Sequence, residues 1–107
     1  MKNFKLDADQ FKPLATGLGS CIATDRITVD GLPVGFMYKD EAQSLHDSGW
    51  VFMSGDESQD YMDDPSNLAM YDINTIANYD PSIIPFLNAS VSSSFKKLES
   101  GKIVKIS

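Results

Sequence analysis

Arg26-Ile-Thr-Val-Asp-Gly-Leu-Pro-Val-Gly-Phe-Met-Tyr38 sets an Asp30-Gly31 pair between two alternating runs. Asp-Gly suits the two-residue type I′ turn, whose twist matches antiparallel strands, so the stretch reads as a β-hairpin. In that register Val29 faces Leu32 and Ile27 faces Val34. Phe36 and Tyr38 continue the same face by the two-residue strand period, leaving Met37 as the one large residue on the other side. Pro33 cannot donate to a ladder and marks an edge or a bulge.

Working outward, residues 39–48 are polar and form a loop, and Trp50-Val-Phe-Met53 is the next strand. Ser54 and Glu57 stand at capping-box spacing, so a short helix is expected with Asp56 and Glu57 in its first turn, where the helix dipole favours anions. Asp63-Asp64-Pro65 ends it. Leu68-Ala-Met-Tyr71 reads as a strand. Asp72 is the N-cap of a helix over 73–79 with Ile73, Ile76 and Ala77 inward. Asp80-Pro81 repeats the signal for a turn that Pro85 keeps short. Phe95 and the Ile103-Val104-Ile106 group form one or two closing strands around Ser100-Gly101. Upstream, Asp7 to Ala15 is a short helix with Phe11 and Leu14 as its apolar face, and Cys21-Ile22-Ala23 is a short apolar strand. The fold class is α+β: a small, mainly antiparallel sheet with short helices packed on one side.

The 107 residues are enough for one domain, taken as 1–107, with its own core and without disulfide or metal support. Cys21 is the only cysteine, which rules out an intrachain disulfide. No apolar run approaches the ~18 residues of a membrane span. The start, MKNFKLDADQFK, lacks the apolar stretch of a signal peptide. A cytoplasmic protein is the expectation.

Charge is bipolar along the chain. Residues 40–95 hold ten acids and no Lys or Arg, whereas residues 96–107 hold four lysines and one acid. Such a block repels nucleic acid and attracts cationic surfaces, and the basic stripe of a nucleic-acid binder is absent. The dense part is Asp56, Glu57, Asp60, Asp63 and Asp64, with Tyr61 among them. On a helix, 56, 60, 63 and 64 share roughly one face. An aromatic in a charged rim is the pattern of an interface anchor, so Asp56, Asp60, Tyr61, Asp63 and Asp64 are the candidate partner-binding residues. The plain alternative is a solvated acidic face.

Catalysis finds weaker support. His46 and Cys21 are each alone of their kind, and a thiol in an apolar strand is usually inert. Asp47-Ser48 beside His46 makes no triad, because triads assemble across a fold. The acids could offer oxygen ligands to Ca²⁺ or Mg²⁺, but the calcium-loop spacing is missing and zinc lacks its ligands. No catalytic residue, metal site or cofactor is therefore assigned. A small enzyme or metal-dependent regulator using the 56–64 carboxylates, and a general interaction domain, remain the other two readings.

Asp25-Arg-Ile-Thr-Val-Asp-Gly-Leu-Pro-Val-Gly-Phe-Met-Tyr38, Asp47-Ser-Gly-Trp50 with Phe52, Ser54-Gly-Asp-Glu57 with Tyr61, and Asp72-Ile-Asn-Thr-Ile-Ala-Asn-Tyr-Asp-Pro81 resemble, in this order, the immunity protein 33-like family of bacteria. The resemblance runs from about residue 20 to 88 and is weak outside it. It implies a non-enzymatic protein that binds and neutralises a protein toxin, and it supplies no catalytic residues. An acidic binding face would suit a basic toxin. The motif residues can equally serve folding, Gly49 and Gly55 through backbone freedom, Trp50 in the core, Ser54 and Glu57 as a cap.

Overall fold

In a computed structural model that describes residues 2–107, six strands form one sheet in the order β4-β1-β3-β2-β5-β6. They are β1 (Ser20–Thr24), β2 (Phe36–Lys39), β3 (Asp47–Met53), β4 (Leu68–Asp72), β5 (Ser94–Lys97) and β6 (Ile103–Lys105). Only β1 and β3 run parallel; the other four pairings are antiparallel. Short helices α1 (Asp25–Thr28), α2 (Gln59–Asp63) and α3 (Ile73–Tyr79) alternate with 3₁₀ turns at Ala8–Gln10, Pro65–Asn67 and Pro81–Phe86. The α+β architecture expected from the sequence is the one observed.

Strand β3 lies inside the sheet, and its Trp50, Val51 and Phe52 are all buried. On the core face the Trp50 and Phe52 rings stack at 5.8 Å, and the Trp50 indole N–H donates to the Leu87 carbonyl at 3.1 Å. Ile73, Ile76 and Ala77 of α3 close over this face together with Ile83 and Leu87, as the 3.6-residue spacing requires. Asp72 caps α3 by accepting from the Asn74 N–H at 2.9 Å, and Asp80 caps the following turn by accepting from the Ser82 N–H. Both caps, β4 and the two closing strands match the sequence reading; β3 contains the expected Trp50–Met53 but starts at Asp47, so Asp47 and Ser48, like Lys39 at the end of β2, are strand and not loop.

Residues 26–38 do not form a hairpin. Asp25–Thr28 is one helical turn, and β2 begins only at Phe36. Ile27 and Thr28, neighbours in sequence, are both fully buried, which a strand with one wet face cannot provide but a helical turn wedged under the core can. Gly31, at φ 78°, does take the left-handed conformation that Asp-Gly suggests, but it ends a helix. The N–H groups of Gly31 and Leu32 return to the carbonyls of Ile27 and Arg26. Strand β2 then pairs with β3 and β5, and this reverses its faces. Met37 is buried opposite Phe52 and Phe95, while Phe36 and Tyr38 lie half-buried on the other side.

Two helix boundaries also move. Only Ala8–Gln10 is helical in the first segment, Leu14 is exposed, and the N–H groups of Lys12, Leu14 and Ala15 bind the side-chain carbonyls of Asn78 and Asn74 instead. The helix after β3 starts at Gln59, not after Ser54, because Ser58 supplies the N-cap and accepts from the Tyr61 N–H at 3.1 Å.

Candidate functional site: an acidic turn at one end of the sheet

Strand β3 ends beside the end of β1, and the chain must pass β1 to reach β4 on its far side. Residues 54–67 make that crossing. Glu57 anchors it: its carboxylate accepts from the Thr24 hydroxyl at 2.6 Å, the Ser54 N–H at 2.8 Å and the Gly55 N–H at 2.9 Å. Burial alone would raise this carboxyl, but the Thr24 hydroxyl and the surrounding N–H groups outweigh it and hold it below its ordinary value. Half of the expected capping box is therefore present, since Glu57 does reach back to the Ser54 N–H. The Ser54 hydroxyl, however, donates to Asp56 and caps no helix.

The five candidate residues are brought to one end of the sheet, but not onto one helix face. Asp56 precedes α2, is exposed, and lies 3.5 Å from Arg26 Nε. Arg26 also pairs with Asp30 at 3.6 Å, and its guanidinium sits 5.0 Å above the Tyr61 ring. Tyr61 is thus half-buried under a cation, and burial, followed by the charge of Asp25, pushes its hydroxyl pKa up. Asp60, Asp63 and Asp64 are exposed. Asp63 accepts from the Gln59 amide at 2.9 Å. Asp64 caps the Pro65–Asn67 turn through the Ser66 hydroxyl and N–H, bonds that lower its pKa.

Arg26 is the residue that sequence reading missed. Thirty positions before Asp56, it neutralises part of a block that holds no basic residue of its own. No local signal reveals this, because the contact exists only once α1 is helical and β1 has been placed beside β3.

The chain's other reactive residues sit elsewhere. Cys21 is fully buried on the core face of β1, and burial, with Asp72 and Asp47 adding to it, pushes its thiol far up, away from the nucleophilic thiolate. His46 is exposed in the loop before β3. Among the described residues no group of three or more His, Cys, Asp or Glu side chains is placed to hold a metal ion. Among them also, no helix is long and apolar enough to cross a membrane.

The sequence motifs take structural roles. Asp47 accepts from the Gln43 and Gly49 N–H groups, and these bonds lower its pKa. The Ser48 hydroxyl donates to the Ser20 carbonyl at 2.6 Å and accepts from the Trp50 N–H, tying β1 to β3. Gly49, at φ 86°, passes so close to the Asp40 carbonyl that a Cβ would lie 2.0 Å from that oxygen. Asn74 and Asn78 hold residues 12–15 on α3. The Tyr79 hydroxyl accepts from the Leu6 N–H and donates to the Thr28 carbonyl.

The family described as Immunity protein Imm33 domain has a model that matches residues 21–107. The chain belongs to that family of immunity proteins. The match continues through β5 and β6, beyond the residue 88 where the resemblance in the sequence fades. No curated protein and no solved structure matches the chain.

Proposed function

We propose that this chain is a non-enzymatic immunity protein of the bacterial cytoplasm that neutralises a basic protein toxin by binding it through the acidic turn. Asp56, Asp60, Tyr61, Asp63 and Asp64 are the contact residues. The observation that carries the reading is the placement of Asp60, Asp63 and Asp64, all exposed on or beside a five-residue helix at the sheet's end, in a chain of an immunity-protein family. Glu57 fixes the base of the turn through three hydrogen bonds, so the outer carboxylates stand on an ordered support. Their mutual repulsion in the free protein is relieved when a cationic surface arrives, and their field speeds the encounter.

The test is retention of a toxin from source cells by the tagged chain, followed by assay of that toxin's activity with and without the purified chain. Neutralisation at equimolar ratio, lost or slowed when Asp60, Asp63 and Asp64 become Asn, is the expected result. A chain that retains no toxin, or a retained toxin that keeps full activity, overturns the proposal.

A further inference from the structure

The core face of the sheet carries α1, α3 and the Pro81–Phe86 turn; on the other face Met70 and Ile22 are exposed and Phe36, Tyr38 and Met53 are half-buried. Antiparallel sheets that face water alternate apolar-in with polar-out. This one does not. Pairing registers align Met70 with Ile22, Ile22 with Val51, and Val51 with Tyr38, one row across β4, β1, β3 and β2. At roughly 4.8 Å per strand the row spans about 14 Å. Beside it Met53 pairs with Phe36. Met70 is 64% exposed and Ile22 37%, both on the face away from the core, whereas Val51, next in the row, is buried. A contiguous apolar patch of this kind marks an interaction surface.

Its surroundings state the chemistry of the partner. At one end of the strands Asp40, Glu41 and Asp47 line a hollow shared with Ile22 and Val51. At the other end Asp56 and Glu99 line a cleft of about 570 Å³ shared with Phe36 and Met53. Lys96 and Lys97 also line that cleft, but Lys97 is paired with Asp80. The apolar row is therefore flanked toward one end of the strands by Asp40, Glu41 and Asp47, with no cation among the residues lining that hollow, while toward the other end Asp56, paired with Arg26, and Glu99 share their cleft with the two lysines.

We infer that this sheet face, centred on exposed Met70 and Ile22 and continued by half-buried Tyr38, is the apolar centre of the toxin-binding surface, and that it receives apolar side chains ringed by lysine or arginine. This rests on the toxin-binding reading above and extends it from the acidic turn to the sheet. Apolar burial supplies affinity at the centre of an interface, and the flanking carboxylates supply orientation and encounter rate. A second copy of the chain is a poor occupant, because it would bring the same acidic flank and another net charge of −6 against the first.

The experiment uses the full chain with the photocrosslinking residue p-benzoylphenylalanine placed at Met70 and, in a separate variant, at Gln59 on the acidic turn. After irradiation in source cells, adducts are digested and the crosslinked peptide is sequenced. The adducted protein is then purified and its affinity measured for the parent, for Ile22→Ser with Met70→Ser, and for Met70→Ser alone should the pair fail to fold. The expected result is an adduct from position 70 with a lysine- or arginine-rich segment of another protein. Loss of the apolar anchors then weakens binding about tenfold or more at both low and high salt. An adduct from Gln59 but none from Met70 overturns this inference and leaves the acidic turn as the binding site. Absence of adducts from both positions overturns the two readings together. A second copy, an acidic or neutral segment, or a lipid captured at position 70 overturns the inference, as does unchanged affinity in the Ser variants.

Discussion

Lys97 on β5 places its ammonium against Asp80 Oδ2, the same oxygen that accepts the Val34 backbone N–H at 2.9 Å. Both side chains are largely shielded, with Asp80 8% and Lys97 15% exposed. One carboxylate thus joins the loop before β2, the end of α3 and β5.

Burial alone would raise the Asp80 carboxyl, but Lys97, Ser82 and the Val34 N–H outweigh it and hold it below its ordinary value. A carboxyl lowered by folding stabilises the native state fully above its unfolded pKa of about 3.9, and that contribution disappears as pH falls through the lowered value. Lys97→Met leaves the carboxylate buried without its cation and is expected to cost about 3–5 kcal/mol near neutral pH. Adding Asp80→Asn is expected to recover part of the loss and to flatten the acid side of the stability curve. Urea denaturation of the three proteins between pH 2 and 7 measures both effects; a single variant as stable as the parent contradicts the assignment.

Trp50→Ala is expected to lose about 3–5 kcal/mol, in the range of other large-to-small core changes. The residue is 1% exposed, stacks on Phe52, and satisfies its own N–H through Leu87. Trp50→Phe keeps most of the apolar volume and is expected to lose less, while leaving the Leu87 carbonyl unpaired. Calorimetric melts of the two variants rank them.

Gly35→Ala tests a close backbone approach. An ideal Cβ at this position would lie 1.9 Å from the Ser54 carbonyl oxygen, and the neighbouring Gly35 N–H donates to the Met53 carbonyl at 2.9 Å. The obstacle is main chain and cannot rotate aside. Overpacking of this kind costs about 1–3 kcal/mol, and here it would also pry β2 from the end of β3. Hydrogen exchange at the Gly35 amide reports the separation directly, and unchanged protection counts against it.

Replacing Asp60, Asp63 and Asp64 together with Asn is expected to leave folding stability almost unchanged. Like charges at helical spacing cost about 0.2–0.5 kcal/mol per pair, and Asn at position 64 keeps an oxygen for the Ser66 cap. Association with the toxin is expected to slow at low salt and to converge on the parent at high salt. Tyr61→Ala removes the ring that Arg26 covers and is expected to raise the dissociation rate. Surface-binding kinetics at two salt concentrations separate these outcomes; a triple variant that associates at the parent's rate throughout reduces the acids to a solvated face.

Local chemistry in the sequence determined whatever depends on neighbours within a few residues. Asp72 and Asp80 cap the helices that follow them because an N-cap needs only its own side chain and the next two amides. Trp50-Val-Phe-Met53 is a strand inside the sheet because its apolar run leaves no wet face, and the inward residues of α3 follow from spacing alone. Tertiary structure decided the fate of residues 26–38. Asp-Gly favours the left-handed conformation equally at a hairpin turn and at a helix end, so the local signal is the same for both. The choice fell to the helix because Ile27 and Thr28 both find buried space there, and because β2 takes its partners from β3 and β5. The same long-range pairing turned Phe36 and Tyr38 outward, aligned Tyr38 through Val51 with Ile22 and Met70, and set Arg26 over Tyr61. Strand order cannot be read from alternation within any one strand. In this protein it determines which apolar residues form the core and which are left facing out.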